Sequence, residues 1–348
     1  MGLRIEFAGR TLGEGCPVFL VAEAGVNHDG NLAQALALVD AAAECGADAV
    51  KFQTFRASAL CSLTAPKAGY QEAGTPGESQ HAMLSRLELS AEAHVAIAAR
   101  AREKGILFLS SPFDESSADF LERLCVPAFK IPSGELTNLG FLAHVARKKK
   151  PMLVSTGMAS LDEIERALAT ISAGAAPVAL FHCTSAYPAR LADANLRAMA
   201  TLSNAFHVPV GYSDHTPGIE VSLAAAALGA ALIEKHLTLD RTLAGPDHSA
   251  SLGPAEWKRL ARGVRNVERA LGSPEKRPTE SEQEIARVAR KSLFAARALS
   301  AGQRLEHGDT IALRPGTGIS PARLSELLGL VLKTNVPAGA ALAEEHFE

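Results

Sequence analysis

Eight short apolar runs rich in β-branched residues punctuate the first 240 positions of this chain, beginning at Val18, Asp48, Ile106, Pro127, Pro151, Pro177, Val208 and Ala230. Runs of this length and composition predict buried strands. Helical patterns separate most of them, over 31–45, 91–104, 116–124, 139–147, 161–171 and 220–229. Asn31 offers a cap and Gly46 a stop for the first of these. Ser160 and Glu163 have the spacing of a capping box. Eight strand–helix repeats predict a (β/α)8 TIM barrel, an α/β fold. A doubly wound open sheet is the competing architecture. It is disfavoured because no glycine-rich dinucleotide fingerprint follows the first run.

The flanks divide the chain further. Residues 4–13 read as a small hairpin placed to plug the bottom of the barrel. The connection from 56 to 89 is long and has little periodicity, so it is expected to be a lid over a strand end; a plain surface loop is the alternative. After Gly272 the run SPEKRPTESEQE is polar and charged, which predicts a linker over 273–285. The barrel would then occupy 1–272, and 286–348 would form a second unit of short strands with one short helix near 321–328. Roughly 60 residues make a small core that is marginal unless docked on something.

Bulk properties narrow the partners. The chain has 348 residues, 47% of them hydrophobic, and a formal net charge of −3. That balance argues against a nucleic-acid or polybasic membrane surface. No apolar run approaches the ~20 residues of a membrane span. The opening MGLRIEFAGRTLGEG lacks an apolar signal core. Cys16, Cys45, Cys61, Cys125 and Cys183 are odd in number and scattered, as reduced thiols would be. A cytoplasmic protein is expected.

Barrel enzymes carry chemistry at the C-terminal ends of their strands, and each run here ends in polar residues. The first offers Glu23, Asn27 and His28; the second offers Lys51 and Gln53 on one face. Ser110 and Ser111 follow, then Lys130, Ser133 and Glu135, then Ser155 and Thr156, then Ser185 and Tyr187. The last two runs pair Ser213 with His215 and Glu234 with His236. Neighbouring strands lie ~4.8 Å apart, so both imidazoles could reach one metal ion, with positions left open for water and substrate. Two polar loop histidines are the plainer alternative. Lys51, Lys130 and the serines suit a phosphate or carboxylate. Glu23, Glu135 and Glu234 could balance that charge, orient hydroxyls or move protons. A lysine inside a barrel also suggests Schiff-base chemistry, but the histidine pair argues against it.

The ordered motifs AEAGVNHDGN, VKFQTF, SSPFD, KIPSGE, STGMA, HCTSAYPA, GYSDHT, EKH and GPDHSASL resemble the sialic acid synthases, bacterial N-acetylneuraminate synthases and their relatives. RPGTGISP resembles the marker of their C-terminal antifreeze-like (SAF) domain, and the likeness spans about residues 15–348. It implies condensation of phosphoenolpyruvate with an open-chain N-acyl-mannosamine-type sugar and water, giving N-acetylneuraminate and phosphate. A divalent cation, Mn2+ or Mg2+, on His215 and His236 would polarise the aldehyde. The resemblance places phosphoenolpyruvate against Lys51, Ser111, Lys130, Ser133, Ser155, Ser185 and Ser213. It places the sugar against Gln53, Tyr70, Tyr187 and Asp247, with Glu135 between the substrates and Glu135 or Glu23 moving the proton of water. It also implies a homodimer in which the C-terminal domain covers the partner's site and Arg314 reaches the N-acyl group.

Some positions depart from the family pattern. Gly69 stands where an acidic residue is commoner, and Ser111 and Ser185 stand where Thr and Asn also occur. GPDHSASL fits the neuraminate and legionaminate branches better than the pseudaminate branch. The rival products lead to a legionaminic acid synthase acting on a 2,4-diacetamido sugar. A metal-free aldolase and a non-catalytic sugar-binding protein are more distant rivals.

Overall fold

In the computed structural model, which describes residues 3–69, 71 and 77–348, the eight runs form eight parallel strands. They are β3 (Phe19–Gly25), β4 (Ala49–Thr54), β5 (Leu107–Pro112), β6 (Phe129–Ile131), β7 (Met152–Ser155), β8 (Val178–Cys183), β9 (Val210–Asp214) and β10 (Leu232–His236). The last strand pairs with the first: Leu232 lies opposite Phe19 and His236 opposite Glu23. That pairing distinguishes a barrel from an open doubly wound sheet. The ladder runs from β5 through β4, β3, β10, β9, β8 and β7 to β6, with no ladder between β5 and β6 among the described residues.

Alternation divides the strand side chains into two layers. Leu20, Ala22, Val50, Tyr212 and Ile233 face outward into the large core shared with the helices. Phe19, Val21, Leu109, Leu153, Phe181 and Leu232 face inward at the lower end, where Phe7 and Leu12 close the floor. These two come from the antiparallel hairpin β1 (Arg4–Phe7) and β2 (Arg10–Gly13), and Phe7 meets Phe19 edge to face at 5.1 Å. The floor is therefore dry and packed, and polar side chains collect at the upper end.

Helices start and stop where local chemistry directs. Asn31 caps Leu32–Glu44 by accepting from the amides of Ala33 and Gln34. Ser160 and Glu163 form a reciprocal capping box at Leu161–Ala173. The long connection after β4 holds helices Ala57–Leu60 and Gln80–Leu87, with Met83, Leu84 and Leu87 packed on Val26 and Phe55. No helix among the described residues is long and apolar enough to cross a membrane. All five cysteines are free.

The chain divides into Met1–Gly272 and Ser273–Glu348. In the second unit β11 (Ser292–Ala295) pairs antiparallel with β12 (Thr310–Leu313), around a core of Leu293, Leu299, Leu305, Leu327, Val336, Leu342 and Phe347. The stretch expected as a linker to residue 285 differs from expectation: a helix, Glu280–Ala289, begins inside it. Thr279 and Glu282 form a capping box there, so TESE initiates a helix despite its polarity.

Candidate active site

At the upper end of the barrel a cleft of about 440 Å3 gathers the side chains that end the strands. Glu23, Lys51, Gln53, Ser111, Lys130, Ser133, Ser155, Ser185, Tyr187, Ser213, His215, His236 and Asp247 all line it. Asn27, His28, Ser110 and Thr156 lie outside it. Asn27 donates to the Leu237 carbonyl, the Ser110 and Thr54 hydroxyls bond each other, and Thr156 donates to the Phe181 carbonyl. A larger cavity of about 560 Å3 opens below the barrel, with Glu14 and Glu268 as its charged lining. Glu268 is spent there on the Val18 amide and Arg265.

The centre of the cleft is a buried ion cluster. Lys51 Nζ lies 2.7 Å from Glu23 Oε2 and 3.7 Å from Glu234 Oε1, and donates to Ser111 Oγ at 3.3 Å. Lys130 Nζ lies 3.3 Å from the same Glu234 oxygen and donates to Ser155 Oγ at 2.8 Å. Ser213 Oγ completes the shell by donating to Glu234 Oε1 at 3.0 Å. Glu234 is thus the hub of the cluster, the charge-balancing role that the strand-end pattern offered it together with Glu23 and Glu135. The other oxygen, Glu234 Oε2, is buried without a hydrogen-bond partner.

Electrostatics divide the two central glutamates. Burial opposes ionisation of Glu234, but Lys130 and Lys51 outweigh it and hold the carboxyl near 2. Burial dominates at Glu23 and raises its carboxyl despite the adjacent Lys51. Burial pulls both lysines down. At Lys51 the pull of Glu23 and Glu234 wins and the ammonium ends above its ordinary value. At Lys130 burial prevails and the value ends lower. Glu23 is therefore the central carboxyl able to exchange a proton near neutrality, while Glu234 stays anionic.

Backbone geometry packs the acids together. Gly25 takes a φ of +53°, and a Cβ there would lie 3.2 Å from Glu23 Oε1 and 3.5 Å from Asp247 Oδ2. Burial raises the Asp247 carboxyl to about 6, against the pull of His248 and Lys51. Glu135, expected between the two substrates, is not among the residues that line the cleft. It ends a 3-10 turn, Ser133–Glu135, and its Oε2 accepts from Asn138 Nδ2 at 2.9 Å. Its neighbours Ser133 and Gly134 line the cleft and its own side chain does not.

The histidines fit a cation. His215 Nδ1 lies 2.7 Å from the Thr184 carbonyl, which can only accept, so Nδ1 carries the proton and Nε2 keeps its lone pair. His236 Nδ1 is buried without a hydrogen-bond partner. Burial holds both imidazoles neutral, His215 near 4 and His236 well below its ordinary value. Their ring centres are 5.6 Å apart, and the Tyr187 ring lies 4.2 Å from that of His215, tilted by 39°. Among the described residues no group of three or more His, Cys, Asp and Glu side chains is arranged for a metal. His215 and His236 are the residues that would hold a cation here.

Arg314 and Tyr70 are two further expected residues. Arg314 follows β12 in the second unit and is exposed. Tyr70 lies outside the described residues. Two others were missed: Cys183, which lines the cleft with Sγ 3.3 Å from Ser133 Oγ, and Gly157, whose amide donates to that hydroxyl at 3.0 Å. A Cβ on Gly157 would press on Ser185 Oγ and lie 2.8 Å from Ser133 Oγ. Gly157→Ala is expected to turn both hydroxyls away and weaken inorganic phosphate binding about tenfold by calorimetry. Unchanged affinity would remove these hydroxyls from the anion site.

Comparison with known proteins identifies the family. The NeuB family matches over residues 38–276 and the SAF domain over residues 290–348. The N,N'-diacetyllegionaminic acid synthase of Legionella pneumophila is 48% identical over 342 residues, covering 97% of this chain and 96% of its own. The synthase of the same name from Campylobacter jejuni is 46% identical over 320 residues, covering 91% and 96%. Among solved structures, the N-acetylneuraminic acid (sialic acid) synthetase of Leptospira borgpetersenii, in complex with citrate, is 35% identical with a TM-score of 0.72, covering 82% of this chain and 95% of that one. With a NeuB match over most of the chain, a SAF match after it and 48% identity to a relative over 97% of its length, the chain belongs to the NeuB family of sugar-acid synthases and carries a SAF domain at its C-terminal end.

Proposed function

We propose that this protein condenses phosphoenolpyruvate with the open-chain form of a 2,4-diacetamido-trideoxymannose-type sugar, giving N,N'-diacetyllegionaminic acid and phosphate. The observation that carries this reading is the 48% and 46% identity to two relatives of that name, over more than nine-tenths of each chain. The neuraminate product expected from the motifs becomes the second reading, supported by the Leptospira structure at 35% identity.

The reaction balances on the residues of the cleft. C3 of phosphoenolpyruvate attacks the aldehyde carbon, the new C–C bond forms, and the aldehyde oxygen takes a proton. Positive character develops at C2, water adds there and gives up a proton, and C–O cleavage releases phosphate. Lys51 and Lys130 hold the carboxylate and phosphate, with Ser111, Ser155 and Ser213 bonded into the same cluster. The ionised Glu234 keeps both ammonium groups in place before substrate arrives. Glu23, raised by burial, takes the proton of the attacking water. Asp247 and Gln53, packed with Glu23 around Gly25, face the sugar. His215 and His236 would hold a divalent cation, Mn2+ or Mg2+, which would supply Lewis-acid polarisation of a carbonyl oxygen when bound.

The same reading includes a cytoplasmic homodimer in which the SAF domain covers the partner's cleft and Arg314 meets an N-acyl group. The exposure of Arg314 and of Ile311 and Leu313 beside it is consistent with a surface meant to be covered. The deciding experiment supplies phosphoenolpyruvate, Mn2+ or Mg2+, and either the diacetamido sugar or N-acetylmannosamine. It measures phosphate release and product mass. A kcat/KM higher by about tenfold or more for the diacetamido sugar is expected. A preference for N-acetylmannosamine puts the second reading first. Turnover of neither sugar sinks both, and sugar affinity without phosphate release would mark a binding protein.

A further inference from the structure

Behind the two histidines, on the outward face of the same strands, lies a buried ion pair that the reaction does not use. Asp214 precedes His215 and Lys235 precedes His236, and the two stand directly opposite each other in the β9–β10 ladder. Each is 1% exposed. Lys235 Nζ lies 2.9 Å from Asp214 Oδ2 and donates to the Thr216 carbonyl at 2.5 Å. Asp214 Oδ1 accepts from the Thr216 amide at 2.9 Å and its hydroxyl at 2.7 Å, and Oδ2 accepts from Ser222 Oγ at 2.6 Å. Trp257 Nε1 donates to the Lys235 carbonyl at 3.2 Å.

Core packing does not account for this pair. The outward positions just before it, Tyr212 and Ile233, sit in the hydrophobic layer. A buried ion pair there is no more stabilising than a well-packed apolar pair. What it supplies is direction. Residues 214 and 216, on either side of His215, are both tied to Lys235, the residue before His236. The turn that carries one imidazole is therefore bolted to the strand that carries the other. The bond from His215 Nδ1 to the Thr184 carbonyl sets the ring orientation from the opposite side.

We propose that Asp214 and Lys235 are positioning residues, whose cross-strand pair sets the spacing of His215 and His236 and with it their affinity for a divalent cation. The inference rests on the cation site proposed above. Partners behind metal ligands typically change affinity by about 10–100-fold.

The test is Mn2+ binding to the full chain by calorimetry, without substrate. Asp214→Leu/Lys235→Met removes both charges together and leaves no unpaired ion, while Thr216 and Ser222 lose an acceptor, so a lower melting point is expected. Its Mn2+ dissociation constant is expected to rise about 10–100-fold. Lys235→Arg, which keeps a cation opposite Asp214, is expected to recover most of that loss. Affinity for phosphoenolpyruvate without metal is expected to hold. A folded double variant that binds Mn2+ as tightly as the parent overturns the proposal. If the double variant does not fold, Ser222→Ala loosens Asp214 more gently. A smaller loss of cation affinity supports the proposal there, and no loss overturns it. A parent that binds no Mn2+, or a His236→Ala variant that binds it equally well, ends the cation reading and this inference together. That outcome differs from a parent and double variant that bind alike.

Discussion

His236→Ala is expected to lower phosphate release by about a thousandfold or more and to leave the chain folded. Lewis-acid polarisation of a carbonyl is worth several kcal/mol in the transition state, and about 1.4 kcal/mol is tenfold in rate. The fold loses little in exchange. The imidazole is buried, yet its Nδ1 has no hydrogen-bond partner, so truncation removes an unsatisfied polar atom along with some packing. His215→Ala should behave differently, because it also breaks the bond to the Thr184 carbonyl and costs stability as well as rate. Circular dichroism melts and a phosphate assay with and without a chelator separate these effects. Full activity in His236→Ala, or a parent indifferent to chelation, would remove the cation from the proposed reaction.

The barrel was legible because its strands are buried on both faces and read as apolar runs against a periodic helical background. Period-two alternation also predicted which polar residues share a face, so Lys51 with Gln53, and Ser213 with His215, reach the cleft together. What alternation cannot supply is distance between strands. Glu23, Glu135 and Glu234 looked equivalent along the chain. Their differences come from neighbours on other strands: Glu234 sits among Lys51, Lys130 and Ser213, and Glu23 touches Lys51. Glu135 follows β6 in a 3-10 turn, where the two-residue period ends and the face of a side chain is no longer set. Gly157 escaped for a related reason, since the close approach of a loop backbone to Ser133 and Ser185 leaves no periodic trace. The helix Glu280–Ala289 escaped because none of its residues is buried and its polarity resembles a linker.

Lys51→Met and Lys130→Met are each expected to raise the KM for phosphoenolpyruvate about 10–100-fold, with a smaller change in the KM for the sugar. One charge-assisted contact to an anion is worth about 1.5–3 kcal/mol, and methionine keeps the aliphatic stem of either lysine. The two variants should part company in stability. Without Lys130, Glu234 loses its strongest cationic partner but still has Lys51 at 3.7 Å and Ser213 at 3.0 Å, which are expected to keep it ionised. Without Lys51, Glu23 loses the cation 2.7 Å from its Oε2, and its carboxyl, already raised by burial, rises further. In the unfolded chain that carboxyl titrates near its ordinary 4.5. Between that value and the higher folded one the native state holds the extra proton, so stability falls as pH rises. Lys51→Met should therefore melt several degrees lower at about pH 8 than at about pH 5.5, relative to the parent, and Lys130→Met should show little such trend. Steady-state kinetics with phosphoenolpyruvate varied, and melts at both pH values, test the two halves. An unchanged KM in both variants would mean that the lysines serve the ion cluster alone. Matching pH trends would mean that Glu23 and Glu234 share one environment instead of dividing the roles of proton carrier and fixed anion.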